Sequence, residues 1–397
     1  MATKNDVFLK EVHISNFLSL HDVILPLKRL TILVGANASG KSNVLSCLRL
    51  LKRLMVDDEL PPVNFIESRT WAGGATAIDL SLKLTIDDVI TNYHVTLVQK
   101  SENQIADEKL IIGGVEIISV QEGKGEVKEE HPPHQATPYR PPKAKLALKS
   151  AGDYGDRPIT SALNEFISNW EFYDFEPNAI RAGEVILQLM KNKAITSFPK
   201  PEVLQPDDDG SILQTILTDW FVNDQVRFES VNEALHQCTQ LKIEHNNENG
   251  DAGLYLQEGY KSRIPLIRAS DGTLRLLAYY VMLNQSEVPS LIAIEEPERN
   301  LHPGALKDIA SVLERLSERT QVIITTHSSQ LLDTFNPDNL SENLSVLLLR
   351  NIPAEGTTVI NLEDARNNRE SIAGWIDDFG IGSAIFESEL LQDVMEN

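Results

Sequence analysis

LTILVGANASGKSNVL, residues 30–45, is the stretch on which the fold turns. Leu30 to Val34 is an unbroken apolar run, the pattern of a strand buried on both faces of a parallel sheet. Gly35 to Ser42, GANASGKS, fits G-x-x-x-x-G-K-[ST]. Beyond it Val44, Leu45, Leu48, Leu51, Leu54 and Met55 recur at three-to-four spacing, which predicts an amphipathic helix. Strand, glycine-rich turn and helix form the context in which that string cradles phosphate. Glycines let backbone N–H groups close around phosphate oxygens, and the helix N-terminus adds partial positive charge. Lys41 then reaches the β and γ phosphates, and Ser42 offers its hydroxyl to magnesium. An ordinary glycine turn before a helix is the competing reading.

Three further segments carry chemistry. SLIAIEEPERNLHP, Ser290 to Pro303, is an apolar strand ending in adjacent carboxylates. One acid in such a pair can hold magnesium through water while the next orients or deprotonates an attacking water. Glu295 takes the first role and Glu296 the second. By itself the pair also reads as a solvated strand end. In QVIITTHSS, Gln321 to Ser329, His327 stands at the tip of another buried strand, where an imidazole can donate to a γ phosphate. In ASDGTLRLLAYYV, Ala269 to Val281, Ser270 or Asp271 can cap a helix and Gly272 permits close backbone approach. Plain capping accounts for that segment; so does a helix N-terminus aimed at another protomer's γ phosphate.

The 397 residues are 42% hydrophobic and 24% charged, near globular averages, which excludes collagen-like, disordered and disulfide-scaffold classes. The longest candidate apolar run, Leu344 to Leu349, is far too short to span a membrane. MATKNDVFLKEV shows no secretory pattern, and Cys47 and Cys238 lack metal-ligand spacing, so a cytoplasmic location is expected. Lys and Arg total 36 against 58 Asp and Glu, a net charge of -22. Such a balance disfavours a globally nucleic-acid-coating surface, and leaves any contact with nucleic acid local.

The buried-strand pattern is split between the two ends of the chain. Strands are expected at Phe8 to Ser15, Asp22 to Leu27 and Leu30 to Val34, with alternating antiparallel strands at Ala77 to Leu84 and Tyr93 to Val98. Residues 121–146, rich in charge and proline, read as a mobile surface loop. Residues 159–192 and 211–238 read as helical. Strands return at Ser290 to Ile294 and Gln321 to Thr325 around a helix starting at Pro303, and Leu344 to Arg350 with Thr357 to Leu362 suggests a terminal hairpin. The expected class is α/β, a mostly parallel core sheet with an antiparallel β subdomain and a helical insertion. The divisions are residues 1–105, an insertion over 106–258, and 259–397. Asp207 to Asp209 read as a solvated loop, and Arg49, Lys52 and Arg53 as a wet helix face that can also touch phosphate backbones. Trp170, Phe172, Tyr173 and Phe175 read as core, with a docking patch the sharper alternative.

The order of these motifs resembles a P-loop NTPase, an ABC-type ATPase head of the RecF, SMC and OLD branch, in its stand-alone form. EVHISNFLSLHDVILPLKRLTILVGANASGKSNVL, SDGTLRLLAY and IEEPERNLHP carry the likeness, with a weaker trace in WEFYDFEPNAIR at 170–181. The resemblance implies ATP and Mg2+ as cofactors and nucleotide contact around Gly35, Asn37, Ala38, Ser39, Gly40, Lys41, Ser42 and Asn43. It implies magnesium at Ser42 and Glu295, Glu296 as catalytic base, and His327 as γ-phosphate sensor. Ser270 and Gly272 would complete the partner's site in an ATP-sandwiched homodimer. Gln99 is the nearest candidate for the glutamine that such ATPases place between their lobes. Asp271 stands where the transporter signature has glycine, and no long heptad arm appears between the lobes. The implied activity is ATP hydrolysis controlling a separately encoded effector, a nuclease or TOPRIM-type protein, in antiphage defence or a toxin–antitoxin-like setting. A RecF-like ATP-gated DNA-binding factor is the alternative, and a transporter subunit a more distant one.

Overall fold

The computed structural model describes residues 5–57, 61–72, 75–98, 105–140, 145–152, 157–183, 204–246, 253–257 and 263–388. The chain opens with β1 (Val7–Phe17) and β2 (Leu20–Pro26), then β3 (Leu30–Val34) and the helix Lys41–Val56. An antiparallel run follows: β4 (Ala77–Ile86), β5 (Val89–Val98), β6 (Ile105–Ile112), β7 (Val115–Gln121), β8 (Lys124–Lys128) and β9 (Ala136–Tyr139). These strands form one sheet in the order β2-β1-β4-β5-β6-β7-β8-β9.

The second sheet is the core. After β10 (Trp170–Tyr173), the small hairpin strands β11 (Lys242–Asn246), β12 (Gly253–Gln257) and β13 (Ile264–Pro265) make a separate three-stranded sheet. The remaining strands are β14 (Leu291–Glu295), β15 (Gln321–Thr326), β16 (Leu344–Ile352) and β17 (Gly356–Asn361). The core order is β10-β14-β15-β3-β16-β17, parallel throughout except for β17, which turns back antiparallel on β16. β3 and β15 are buried along their whole length, which is why LTILV and QVIITT, each with three apolar residues together, read as strands covered on both faces.

The helix Lys41–Val56 lies between the two sheets. Val44, Leu45, Cys47, Leu48, Leu50, Leu51, Leu54 and Met55 are all buried in the cluster joining it to both. Burying each such aliphatic side chain is worth about 1.5–3 kcal/mol, so the first helical turn is anchored by a stem with no freedom to shift. The other face of the core sheet packs on the helix Asp271–Leu283 and on Leu306–Ser317, whose stripe Leu306, Ile309, Val312, Leu313 and Leu316 is buried.

Two expectations need correcting. Residues 121–140 are not a loop: β8 and β9 extend the antiparallel sheet, pairing Val127 with Thr137 and Gly125 with Tyr139. Backbone hydrogen bonds build β8 and the edge strand β9 whatever their side chains, and only Val127 and Tyr139 turn inward, too few to produce an apolar period. Residues 141–144 lie outside the described residues. Nor, among the described residues, is the mixed insertion 106–258 largely helical. Its first part is sheet, and β10 leaves it to join the core beside β14, while 184–192 lie outside the described residues. The helices that are described there include Pro158–Ser168, Leu213–Asn223 and Gln225–Thr239.

Candidate functional site

Parallel register decides where the motifs meet. Thr326 pairs with Val34 and Thr325 with Glu295, so the segments leaving β3, β14 and β15 emerge together at the carboxyl edge of the sheet. Open α/β sheets bind ligands at that edge.

Gly35 leaves β3 beneath β16, and a Cβ on it would collide with the carbonyl oxygen of Leu349. Ala38 (φ 65°) and Gly40 (φ 106°) take left-handed conformations that close the loop. Ala36, Asn37 and Ala38 are exposed, whereas Ser39 and Gly40 are buried. Lys41 Nζ spans the loop, donating to Gly35 O at 2.7 Å and Ala36 O at 2.9 Å. Burial lowers its pKa, opposed by the charges of Glu296, Glu298 and Glu295. Ser42 is exposed in the first helical turn, and Asn43 Nδ2 donates to Ser19 Oγ at 2.7 Å.

Glu295 ends β14. Glu296 follows at φ 43°, a strained conformation for a glutamate, held by its N–H donating to Thr325 O at 3.1 Å. That turn aims its carboxylate at His327, whose Nδ1 is 3.0 Å from Glu296 Oε1. Burial raises the pKa of Glu295, with Asp174 and Glu296 adding repulsion against the relief given by Arg49 and Arg299.

The sequence reading missed two acids here. Glu298, nine-tenths buried, accepts from Thr326 Oγ1 at 2.5 Å while its Oε2 has no partner among the described residues. Burial pushes its pKa up. Asp174 follows β10, and the pairing of Tyr173 with Ile294 sets it beside Glu295. Arg299 donates to Asp174 and, at 2.9 Å, to Glu176, while the buried Arg275 lies 3.9 Å from Asp174. WEFYD repeats the pattern of strand then acid seen in LIAIEE, and that repeat was the available signal.

Ser270 is exposed and caps the helix Asp271–Leu283 by accepting from Thr273 N at 3.2 Å. Arg181 braces the same turn, donating to Asp271 Oδ1 at 2.6 Å and Ala269 O at 2.9 Å. A Cβ on Gly272 would lie 2.9 Å from Asn300 O, so this helix start packs on the turn after Glu298. Among the described residues, no hydrogen bond joins Ser270 or Gly272 to the phosphate loop. Gln99 lies outside the described residues.

The described residues contain no group of three or more His, Cys, Asp or Glu arranged to hold a metal by themselves. A hydroxyl and crowded carboxylates with raised pKa fit instead a hard cation shared with phosphate oxygens. Other candidates resolve into structural roles. Lys52 pairs with Glu171 at 2.8 Å and Arg53 with Asp57 at 2.7 Å, while Arg49 stacks over Phe172. Trp170, Phe172, Tyr173 and Phe175 are buried core. The side chains of Asp207 and Asp209 accept bonds within their own turn, from Ile212 N at 3.2 Å and Ser211 N at 3.0 Å. No helix among the described residues is long and apolar enough to cross a membrane.

Comparison with known proteins bears on the family and the fold. A family model described as "AAA domain, putative AbiEii toxin, Type IV TA system" matches residues 129–333, just over half of the chain. A second, "AAA ATPase domain", matches residues 8–171 and includes the phosphate loop. No curated protein matches in sequence. An SmcHead solved bound to the C-winged helix domain of ScpA superposes with a TM-score of 0.51 at 14% identity, over 91% of this chain and 99% of that one. An Smc head domain with an extended coiled coil, derived from Pyrococcus furiosus and bound to the C-terminal domain of ScpA, gives 0.51 at 12%, over 93% and 100%. At those identities the likeness is one of fold. The chain belongs to the family "AAA domain, putative AbiEii toxin, Type IV TA system" and is an ABC-type AAA ATPase with the fold of an SMC head.

Proposed function

We propose that this ATPase is a dimeric switch in which the loop Gly35–Ser42 of one protomer holds a triphosphate and the Ser270–Gly272 turn of a second copy completes the site. The observation that carries the reading is the Glu296–His327 pair, set by a strained turn on the strand edge that also carries the phosphate loop. Base and phosphate loop stand together, while the exposed start of the serine-capped helix has no hydrogen bond to that loop among the described residues, which leaves it open to a second chain.

Lys41 would release the loop carbonyls to meet the β and γ phosphates, with the N–H groups from Asn37 to Asn43 around them. Ser42 and, through water, Glu295 would hold Mg2+ together with phosphate oxygens; bound there, the ion neutralises charge developing on the transferred phosphoryl group. Glu296 accepts the proton of the attacking water as its oxygen bonds to the γ phosphorus and the bond to the ADP oxygen breaks. The 3.0 Å contact of Glu296 with His327 requires one proton between the two atoms. His327 faces Glu296 through Nδ1, which leaves Nε2 as the ring nitrogen that would turn to a γ-phosphate oxygen.

The controlled partner is read as a separately encoded effector of nuclease or TOPRIM type, in antiphage defence or a toxin–antitoxin-like system. The family description, which names a Type IV toxin–antitoxin system, supports that setting. Two variants test the core of the reading. Lys41→Ala is expected to abolish ATP binding, and Glu296→Gln to bind ATP while losing about 10²–10⁴-fold in kcat. Turnover at the wild-type rate in Glu296→Gln would overturn the role of that carboxylate.

A further inference from the structure

We propose that Thr357, in the terminal hairpin, is a positioning residue that orients the phosphate loop for nucleotide. It lies 318 residues beyond Ser39, yet its hydroxyl is 3.1 Å from Ser39 O. The side chain is buried, 3% exposed, and belongs to β17, two strands from β3 across the core sheet.

The proton bookkeeping of this contact has one solution. A carbonyl only accepts, so Thr357 gives its single proton to Ser39 O. Ser19 Oγ, 2.8 Å from Thr357 Oγ1, must then donate to it, and Ser19 Oγ in turn accepts from Asn43 Nδ2 at 2.7 Å. The result is a one-directional chain running from the first turn of the loop's helix, through the β1–β2 turn and the terminal hairpin, back to the loop. Such chains polarise each other cooperatively. Backbone geometry fixes the hairpin end of the chain: Thr357 N donates to Ser19 O at 2.7 Å, and Gly40 leaves the space that Thr357 Oγ1 fills.

The consequence follows from peptide planarity. The Ser39 carbonyl and the Gly40 N–H share one rigid trans plane and point in opposite directions. Holding the carbonyl toward Thr357 therefore turns the Gly40 N–H toward the inside of the loop, before any ligand arrives. A bond from Asn351 Nδ2 to Ala38 O at 3.4 Å supports the preceding plane from the same hairpin. Without these ties the loop would have to order its amides at the cost of binding energy.

The proposal rests on the reading that this loop binds ATP, and full-length protein tests it. Thr357→Val keeps the shape and removes the hydroxyl; it is expected to raise the Kd for ATP about ten-fold, the equivalent of one hydrogen bond oriented on a charged group. kcat at saturating ATP should stay within about two-fold, because only loop order is changed. The melting temperature without nucleotide should fall by only a few degrees, since the buried Ser39 carbonyl loses its donor, and Thr357→Ser should restore the wild-type Kd. A wild-type Kd in Thr357→Val, a loss confined to kcat, or a failure of Thr357→Ser to rescue would overturn it. Should Thr357→Val not fold, Ser19→Ala breaks the chain one link earlier; a roughly three-fold rise in Kd sustains the proposal and an unchanged Kd refutes it. Wild-type protein that binds no ATP would instead strike the reading of the loop itself.

Discussion

At Gly40 the backbone stands at φ 106°, and a Cβ there would run into Thr357 Oγ1. An L side chain in that conformation costs about 1–2 kcal/mol before the collision is counted. Gly40→Ala is therefore expected to lower stability by about 2 kcal/mol and to abolish ATP binding, measured by chemical denaturation and nucleotide titration. Wild-type affinity in that variant would show that the loop does not need this turn. Residues of this kind were legible because spacing within eight positions defines them. The same is true of Lys41, and of Glu295 and Glu296 at the end of an apolar strand. Ser19, Thr357 and Glu298 were not, since a hydroxyl or carboxylate acquires its role from partners supplied by distant elements, and nothing in its neighbours announces them.

At the scale of elements, apolar period reported the buried strands well and the edge strands badly. β3, β14 and β15 emerged from sequence because both their faces are covered. β9, at the rim, and its neighbour β8 did not, since strands with so little covered surface need only their backbones to pair. The same subdomain hides Glu108 on β6, 2% exposed, accepting from Tyr93 Oη at 2.8 Å, Leu148 N at 3.1 Å and Ala147 N. It thereby ties the helix Ala147–Gly152 to the sheet. Burial outweighs those donors and raises its pKa from 4.5 to about 7. An acid raised on folding contributes stability that is full below its unfolded pKa and lost as pH climbs through the folded one. Relative to Glu108→Gln, the wild type should thus lose up to about 3 kcal/mol between pH 4.5 and pH 7, at about 1.4 kcal/mol per pH unit. A stability gap between the two proteins that stays constant over that range would show that Glu108 does not titrate there.

At the scale of the molecule, the nucleotide machinery is assembled from distant parts of the chain, with β3 and its loop from the first fifty residues lying between β15 and β16 from beyond residue 320. Two halves of a sheet locked this way fix the phosphate loop, Glu296 and His327 relative to one another, whereas Ser270 is exposed and has no bond to the loop. If each site draws its loop from one copy and its serine-capped turn from another, two different lesions can complement. Lys41→Ala removes the grip on phosphate but leaves the turn intact; Ser270→Arg blocks the turn but leaves the grip. Each protein alone should hydrolyse ATP at background rates. Mixed in equal amounts, half of the dimers pair one lesion with the other, and each mixed dimer has one intact site of two, so about a quarter of wild-type activity should return. A mixture no more active than its components would mean that Ser270 serves only its own helix, as its bond to Thr273 already allows.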